Sequence, residues 1–153
     1  LAQNIVRYRR ENAAVIYQSF RLLPLLTVAE NVSYPMELRG VKSKAARARA
    51  AELIEKVGLP ASVLDRFPDM LSGGEQQRVA IARALGVDSG LILADEPTGN
   101  LDSENSALII ELLLKLAHED GFCVIIVTHD PEIAAKADLA LRMRDGVVLG
   151  SGD

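Results

Sequence analysis

The chain has 153 residues, of which 49% are hydrophobic and only 4% aromatic, and its formal net charge is −4 at pH 7. A dedicated nucleic-acid binder needs a surplus of lysine and arginine for phosphate contacts, so this charge argues against a nucleic-acid partner. No run of residues approaches the ~20 apolar residues of a membrane span, so we expect any membrane role to be peripheral.

The high hydrophobic fraction favours strands that are covered on both faces, as in the parallel sheets of α/β proteins. The first strand is predicted over residues 13–17 and ends at Gln18. Thr27 and Glu30 then have the spacing of a capping box, which predicts the start of a short helix. A second helix is predicted over residues 42–57, because apolar residues recur there with a helical period and a glycine follows.

The middle of the chain alternates helices with strands. A helix is predicted over residues 72–85, and an apolar strand over residues 91–94 leads directly into two acidic side chains. A long helix is predicted over about 103–118, with Asp102 or Ser103 as its cap. This alternation is typical of strand–helix–strand units, in which the strands pair in parallel.

Residues 122–128 predict another buried strand, which contains the single cysteine, Cys123. A cysteine in an apolar run is expected to be a small buried side chain rather than a reactive thiol. An Asp-Pro pair at 130–131 predicts the start of a short helix, and an Asp-Gly pair at 145–146 predicts a tight hairpin. The expected hairpin strands are residues 139–143 and 147–149.

The predicted organisation is an α/β fold with a parallel sheet, interrupted by a helix-rich insertion. We expect three segments: the end of an N-terminal core over 1–26, a helical subdomain over 27–83, and the C-terminal part of the core over 84–153. The chain opens with Leu1 and its first methionine is Met36, so we expect it to be part of a longer polypeptide.

The first chemical signal is the segment Leu-Ser-Gly-Gly-Glu-Gln-Gln-Arg at residues 71–78. Ser72 and Glu75 have capping-box spacing, and the adjacent Gly73 and Gly74 would let a ligand approach the helix backbone. Free amides at the positive end of a helix bind anions, and a phosphate is the natural occupant. A capped helix alone does not explain two adjacent glycines, each of which costs up to ~1 kcal/mol relative to alanine.

The second signal is a pair of acids, Asp95 and Glu96, at the carboxyl end of a buried strand, where α/β sheets bind ligands. One carboxylate can hold Mg²⁺ and the other can orient a nucleophilic water. His129 also follows a strand and could donate to a terminal phosphate, although a lone histidine is usually structural. His118, near a helix end, is expected only to interact with the helix dipole.

Taken in order, these motifs closely resemble an ABC transporter nucleotide-binding subunit over nearly the whole chain. The segments that carry the resemblance are Gln18, residues 71–78, residues 91–96, the Gly-Asn-Leu-Asp segment at 99–102, and His129. Residues 17–24 and 94–102 look most like the macrolide-export and lipoprotein-release branch. The fold that this resemblance implies is P-loop NTPase-like, here as a parallel sheet remnant with an inserted helical subdomain.

The resemblance implies catalytic and metal-binding roles for four side chains. Gln18 would contact Mg²⁺ or the attacking water and would relay to the membrane subunit. Asp95 would be the magnesium residue of the Walker B strand, and Glu96 would be the general base. His129 would be the switch histidine, so the catalytic set is Glu96, His129 and Gln18.

The resemblance also implies that ATP is shared between two subunits. Ser72, Gly73 and Gly74, assigned together with Gln76 to cofactor binding, would hold the γ-phosphate of ATP carried by the opposite subunit. Asp102 would be the D-loop aspartate at the interface of this head-to-tail dimer. The implied partners are a second ATP-binding subunit and transmembrane permease subunits, at the cytoplasmic face of the cell membrane.

One element of the family pattern is missing from the 153 residues. No G-x-x-x-x-G-K-[ST] sequence occurs, and none of the five lysines follows a glycine. That loop supplies the amide cradle and the lysine for the phosphates, and a hydroxyl ligand for Mg²⁺. We therefore expect the parent protein to hydrolyse ATP to drive transport, and the isolated chain to be inactive.

Two alternative functions remain open from the sequence. The chain could be a non-catalytic half-site or regulatory module that offers residues 72–74 to a partner's ATP. It could instead belong to the chromosome-maintenance and DNA-repair ATPases, which share a similar signature. Those proteins need long coiled-coil arms, and the roughly 50 residues between Gln18 and Leu71 contain no sustained heptads. The transported substrate is not readable, because membrane subunits select it.

Overall fold

The computed structural model describes residues 12–87 and 89–149, so the outer ends of the first and last predicted segments, 1–11 and 150–153, lie outside the described residues. The elements follow in chain order: β1 (Ala13–Tyr17), α1 (Val28–Leu38), α2 (Ser43–Lys56), two 3₁₀ turns (Ala61–Val63 and Pro68–Met70), α3 (Gly73–Leu85), β2 (Leu91–Asp95), α4 (Ser103–His118), β3 (Cys123–Val127), α5 (Pro131–Ala134), β4 (Arg142–Arg144) and β5 (Val147–Leu149).

The central feature is a three-stranded sheet in the order β1-β2-β3, with both pairs parallel. The strands end together, because Tyr17 is paired with Asp95 and Asp95 with Val127. The predicted α/β fold with a parallel sheet is therefore confirmed. The residues that follow each strand emerge at one edge, which is where open α/β sheets hold ligands.

One face of the sheet is packed and the other is only partly covered by the described residues. Ile16, Ile92 and Ala94 are buried on the packed face, against which α3 and α4 lie. On the opposite face of β3, Cys123 is exposed and Val127 is 59% exposed. The prediction of a buried Cys123 is wrong, and among the described residues the expected cover on both faces fails for β3, because an apolar run does not reveal which of its alternating faces is covered.

Local capping signals place the helices correctly. At the start of α1, the Thr27 hydroxyl accepts from the Glu30 amide at 3.3 Å and the Thr27 amide donates to the Glu30 carboxylate at 2.7 Å. The predicted capping box is therefore confirmed. Helix α2 ends before Gly58, whose φ of +76° is the left-handed conformation expected just past a helix end.

Helices α1, α2 and α3 pack on one another and share a continuous apolar core with the sheet. The fully buried side chains of this part include Val32, Leu53, Ile54 and Ile81. The burial of Leu53 and Ile54 explains why α2 packs on its neighbours despite its many charged residues, since its apolar positions recur on one face.

The turn of the last hairpin has the predicted geometry. Asp145 and Gly146 both have positive φ, at 51° and 78°, which defines the type I′ turn that matches strand twist. The first strand, β4, runs over Arg142–Arg144 instead of the predicted 139–143, and it continues to the turn because Arg144 pairs with Val147 across the two turn residues.

Candidate functional site

The predicted catalytic residues meet at the carboxyl edge of the sheet. Gln18 follows β1, Asp95 is the last residue of β2, Glu96 follows it, and His129 comes two residues after β3. The backbone amide of Glu96 donates to the carbonyl of Val127 at 2.9 Å, which extends the β2–β3 pairing by one residue. Glu96 has a φ of +44°, so its backbone is in the left-handed region, which is uncommon for a residue other than glycine.

Glu96 and His129 form a hydrogen-bonded pair. Glu96 Oε1 lies 2.7 Å from His129 Nδ1 and accepts from the His129 backbone amide at 3.0 Å. Glu96 Oε2 accepts from the Thr128 hydroxyl at 3.3 Å. The glutamate is 23% exposed, whereas the imidazole is 87% exposed. The hydrogen bond to Glu96 and its negative charge raise the pKa of His129 above its ordinary value.

Gln18 is held by the loop that follows the acid pair. Its side chain packs on Gly99, where an added Cβ would lie 2.6 Å from Gln18 Nε2. Gln18 Nε2 lies 3.4 Å from Asn100 Oδ1, and Asn100 Nδ2 donates to the Gln18 carbonyl at 3.0 Å. Gln18, a predicted metal and catalytic residue, is thus tied to the segment that connects β2 to α4.

The Ser72 end of α3 is a fully formed capping box. The Ser72 hydroxyl accepts from the Glu75 amide at 3.3 Å, and the Ser72 amide donates to the Glu75 carboxylate at 2.8 Å. The hydrogen bond from the Ser72 amide is the main cause that lowers the pKa of Glu75. Ser72 is exposed and Gly73 is partly exposed, whereas Gly74 is buried.

Two further predicted cofactor residues make contacts within the chain. Gln76 Nε2 donates to the Leu71 carbonyl at 3.1 Å, which stabilises the turn before α3. Asp102 caps α4, because its Oδ1 accepts from the Asn105 amide at 2.8 Å. Bonds from the Asn105 amide and side chain lower the pKa of the exposed Asp102 carboxyl.

Residues that the sequence did not single out connect these parts. Gln77, buried on the inner face of α3, donates to the Pro97 carbonyl at 2.6 Å and lies 3.4 Å from the Tyr17 carbonyl. Helix α3 is therefore bonded to the loop after the acid pair and to the end of β1. The available signal in the sequence was helical spacing: Gln77 lies four residues before the apolar Ile81, which places it on the packed face of α3.

Arg83, near the end of α3, holds the turn that follows Gln18. Its guanidinium donates to the carbonyls of Phe20, at 2.8 Å, and Arg21. Phe20 and Arg21 both have positive φ, at 57° and 49°, so the turn is backbone-strained. Burial lowers the pKa of Arg83 without changing its charge at neutral pH.

The described residues contain neither a cluster of three or more His, Cys, Asp or Glu side chains suited to a metal nor a helix with the length and apolar character of a membrane span. The predicted metal residues, Asp95 and Gln18, therefore do not form a closed protein-only metal cage within residues 12–87 and 89–149. Such an arrangement is compatible with Mg²⁺, which is commonly held by one or two carboxylates together with substrate phosphates.

A three-stranded parallel sheet with helices, an acid pair at its carboxyl edge and a capped helix start tied to that edge define a P-loop NTPase-like α/β protein. Comparison with known proteins gives the family. The family described as ABC transporter matches residues 1–99, and the chain belongs to it as an ABC transporter ATP-binding domain.

Relatives and solved structures agree with this assignment. The chain is 46% identical over 139 residues to an uncharacterized ABC transporter ATP-binding protein of Mycobacterium tuberculosis, covering 91% of this chain and 56% of the relative. It is 46% identical over 138 residues to the lipoprotein-releasing system ATP-binding protein LolD of Bordetella pertussis, covering 90% and 59%. These two relatives are thus matched over less than two thirds of their length.

A solved structure shares the fold. The dimeric structure of a post-hydrolysis state of the ATP-binding cassette MJ0796, bound to ADP and Pi, is 40% identical, with a TM-score of 0.82. The alignment covers 95% of this chain and 64% of that chain. The predicted family and fold class, including the resemblance to lipoprotein-release subunits, are therefore confirmed.

Proposed function

We propose that the chain is the signature- and acid-bearing part of an ATPase subunit that drives membrane transport. The substrate is ATP, and the reaction transfers its γ-phosphoryl group to water. The observation that supports this most is the Glu96–His129 pair beside Asp95. The loop that follows these acids is bonded to α3, because Gln77 donates to the Pro97 carbonyl.

Glu96 is the proposed general base. As water attacks, a bond forms between its oxygen and the γ-phosphorus, the bond to the leaving β-phosphate oxygen breaks, and the water proton passes to the Glu96 carboxylate. A carboxylate offers about four acceptor positions. The Thr128 hydroxyl and the backbone amide and ring of His129 use three of them, which leaves a position for water. His129 thereby fixes the orientation of the base.

Asp95 is the proposed magnesium ligand, with Gln18 beside it. Asp95 is exposed at the strand end, so its carboxylate is accessible to an ion that substrate phosphates also hold. When bound, Mg²⁺ neutralises charge that develops on the phosphates. Gln18 would leave Asn100 to contact the ion or the water, since the distance of 3.4 Å between Gln18 Nε2 and Asn100 Oδ1 is a weak restraint.

The start of α3 is the proposed trans site. Ser72, Gly73 and Gly74, together with Gln76, belong to a helix start whose first-turn amides and dipole favour an anion. We propose that this anion is the γ-phosphate of ATP held by a second subunit in a head-to-tail dimer, with Asp102 at the interface. The dimeric MJ0796 cassette, bound to ADP and Pi, supports this arrangement by similarity.

The remaining parts of the proposal concern the whole protein. Residues outside this chain would supply the Walker A loop, and the isolated 153-residue chain is expected to be inactive without it. The segments 1–26, 27–83 and 84–153 would be the end of the N-terminal core, the helical subdomain and the C-terminal core. The subunit would act at the cytoplasmic face of the membrane, bound to permease subunits, without a nucleic-acid partner.

The proposal is tested by steady-state Mg-ATPase assays on the complete polypeptide. Glu96→Gln removes the base but keeps the size of the side chain, so hydrolysis should fall by about 10²–10⁴-fold while ATP binding persists. Hydrolysis at the unaltered rate in Glu96→Gln would refute the role of Glu96. In the isolated chain, ATPase activity that Glu96→Gln abolishes would contradict the expected need for outside residues.

The chain offers a matched pair of caps to test the trans site. Ser72→Ala and Thr27→Ala each remove a capping box and should cost about 1 kcal/mol of stability. Only Ser72→Ala should also raise the KM for ATP, because only α3 faces nucleotide in the proposal. If both variants change the KM equally, the effect of Ser72 is structural and the phosphate role is wrong.

A further inference from the structure

The adjacent glycines of α3 stand in different surroundings. A Cβ added at Gly73 would meet Leu101 Cδ2 at 3.4 Å and Phe20 Cζ at 3.7 Å, which are ordinary van der Waals distances. A Cβ added at Gly74 would lie 2.5 Å from Asn105 Cγ and 3.1 Å from Asn105 Cβ, and closer still to Oδ1. An alanine therefore fits the chain at position 73, whereas at position 74 it collides with Asn105.

Asn105 is not free to swing away from Gly74. Its backbone amide donates to Asp102 Oδ1 and its side-chain Nδ2 donates to Asp102 Oδ2, each at 2.8 Å. The Asn105 side chain is thus fixed between the Asp102 carboxylate on one side and Gly74 on the other. Moving it to admit a methyl group would break the bond that holds Asp102 Oδ2.

We infer that Asn105 is a positioning residue that fixes the Asp102 carboxylate relative to the start of α3, in the space left by the missing side chain of Gly74. Glycine in a first helical turn is costly relative to alanine, so its presence needs a reason. Gly74 is buried within its own chain, and the space beside its Cα is filled by the Asn105 side chain. The first turns of α3 and α4 are thereby locked together.

This inference rests on the proposed function only for the consequence of the lock. If α3 and Asp102 both face the second subunit, Asn105 keeps the two surfaces in register when the dimer closes. The close packing of Asn105 on Gly74 and its two bonds to Asp102 do not depend on that role. A test that uses no nucleotide can therefore fail or succeed independently of the ATPase assays.

The test is a double-variant cycle by thermal unfolding of the complete polypeptide. Gly74→Ala should lower Tm by about 2–4 °C, since the methyl group displaces Asn105 from its bond to Asp102 at a cost of about 1 kcal/mol. The double variant Gly74→Ala with Asn105→Ala should unfold no lower than Asn105→Ala alone. Gly73→Ala, the matched control, should leave Tm unchanged or slightly raised, because alanine favours helix.

A second readout separates positioning of Asp102 from mere packing. Carboxyl NMR should give Asp102 a pKa closer to its ordinary value in Asn105→Ala and in Gly74→Ala, and an unaltered pKa in Gly73→Ala. If Gly74→Ala does not fold alone, recovery of folded protein on adding Asn105→Ala supports the inference. Additive losses in the double variant, no such recovery, or an unaltered Asp102 pKa in Asn105→Ala would overturn it.

Discussion

Replacing Arg83 with alanine removes the two hydrogen bonds that hold the strained turn after β1 against α3. The guanidinium donates to the carbonyls of Phe20 and Arg21, and both residues have positive φ. Without Arg83, no other contact from α3 bonds these two carbonyls among the described residues. The turn that follows Gln18 should then relax toward ordinary backbone geometry.

The magnitude follows from the two bonds and the strain. A hydrogen bond to a charged group contributes about 1.5–3 kcal/mol, and the released carbonyls regain water because the turn is partly exposed. Relief of positive φ, at about 1–2 kcal/mol per residue, returns about 2–4 kcal/mol for Phe20 and Arg21 together. We therefore expect a net loss of about 2 kcal/mol, most of it from local opening of the turn rather than from the core.

Limited trypsin digestion reports this opening directly, because Arg21 supplies a cleavage site at the Arg21–Leu22 bond. A local loss of about 2 kcal/mol should speed cleavage there by about 30-fold when opening is fast relative to cleavage. Mass spectrometry of the fragments gives the rate of cleavage after Arg21, which reports the local loss of stability, and urea unfolding gives the global loss. Arg83→Lys, which keeps the charge but not the planar fork, should be intermediate.

Arg78→Ala is the matched control. Arg78 lies on the same helix and its guanidinium also bonds carbonyls, those of Gly58 and Gly74. Its loss should lower global stability without changing cleavage after Arg21. If Arg83→Ala leaves that cleavage rate unaltered, or if Arg78→Ala raises it equally, the holding role assigned to Arg83 is wrong.

Two further predictions concern the acid–imidazole pair and the outer face of β3. His129 should titrate by NMR above its ordinary value of 6.5, and Glu96→Gln should return its pKa toward that value. Because folding raises this pKa, the pair adds stability below pH 6.5, and that stability is lost as the pH rises through the raised pKa. A Tm of Glu96→Gln that depends on pH in the same way as the Tm of the unaltered protein would contradict this. Cys123 should react with a maleimide in the native isolated chain without denaturant, whereas a thiol that reacts only after unfolding would contradict its exposure.

Much of the local structure was predictable because its causes lie close together in sequence. The caps at Thr27, Ser72 and Asp102 each bond an amide three residues ahead, so the sequence displays both partners. The Asp145 and Gly146 turn depends only on its own two residues. Such signals fix where elements begin, and the alternation of elements then indicates a parallel sheet.

The connections between elements could not be predicted in the same way. Gln77 and Arg83 donate to backbone carbonyls 20 to 63 residues away. Every residue has a backbone carbonyl, so the residue types along the sequence do not indicate which one accepts the bond. Asn105 touches Gly74 only because two helix starts meet in space. Cys123 was misjudged because hydrophobicity reports the preference of a strand for burial, not which of its faces is covered.

The central claim is that Ser72 of one subunit and Glu96 of the other complete a single ATP site. Two inactive variants of the complete polypeptide, Ser72→Arg and Glu96→Gln, test it when mixed. A head-to-tail dimer that contains one copy of each variant has both defects in one ATP site and leaves the other site intact. When equal amounts are mixed, Mg-ATPase activity should therefore reappear, with roughly a quarter of all sites restored. If the mixture stays as inactive as each variant alone while mixed dimers form, the two residues do not serve one shared site in this way.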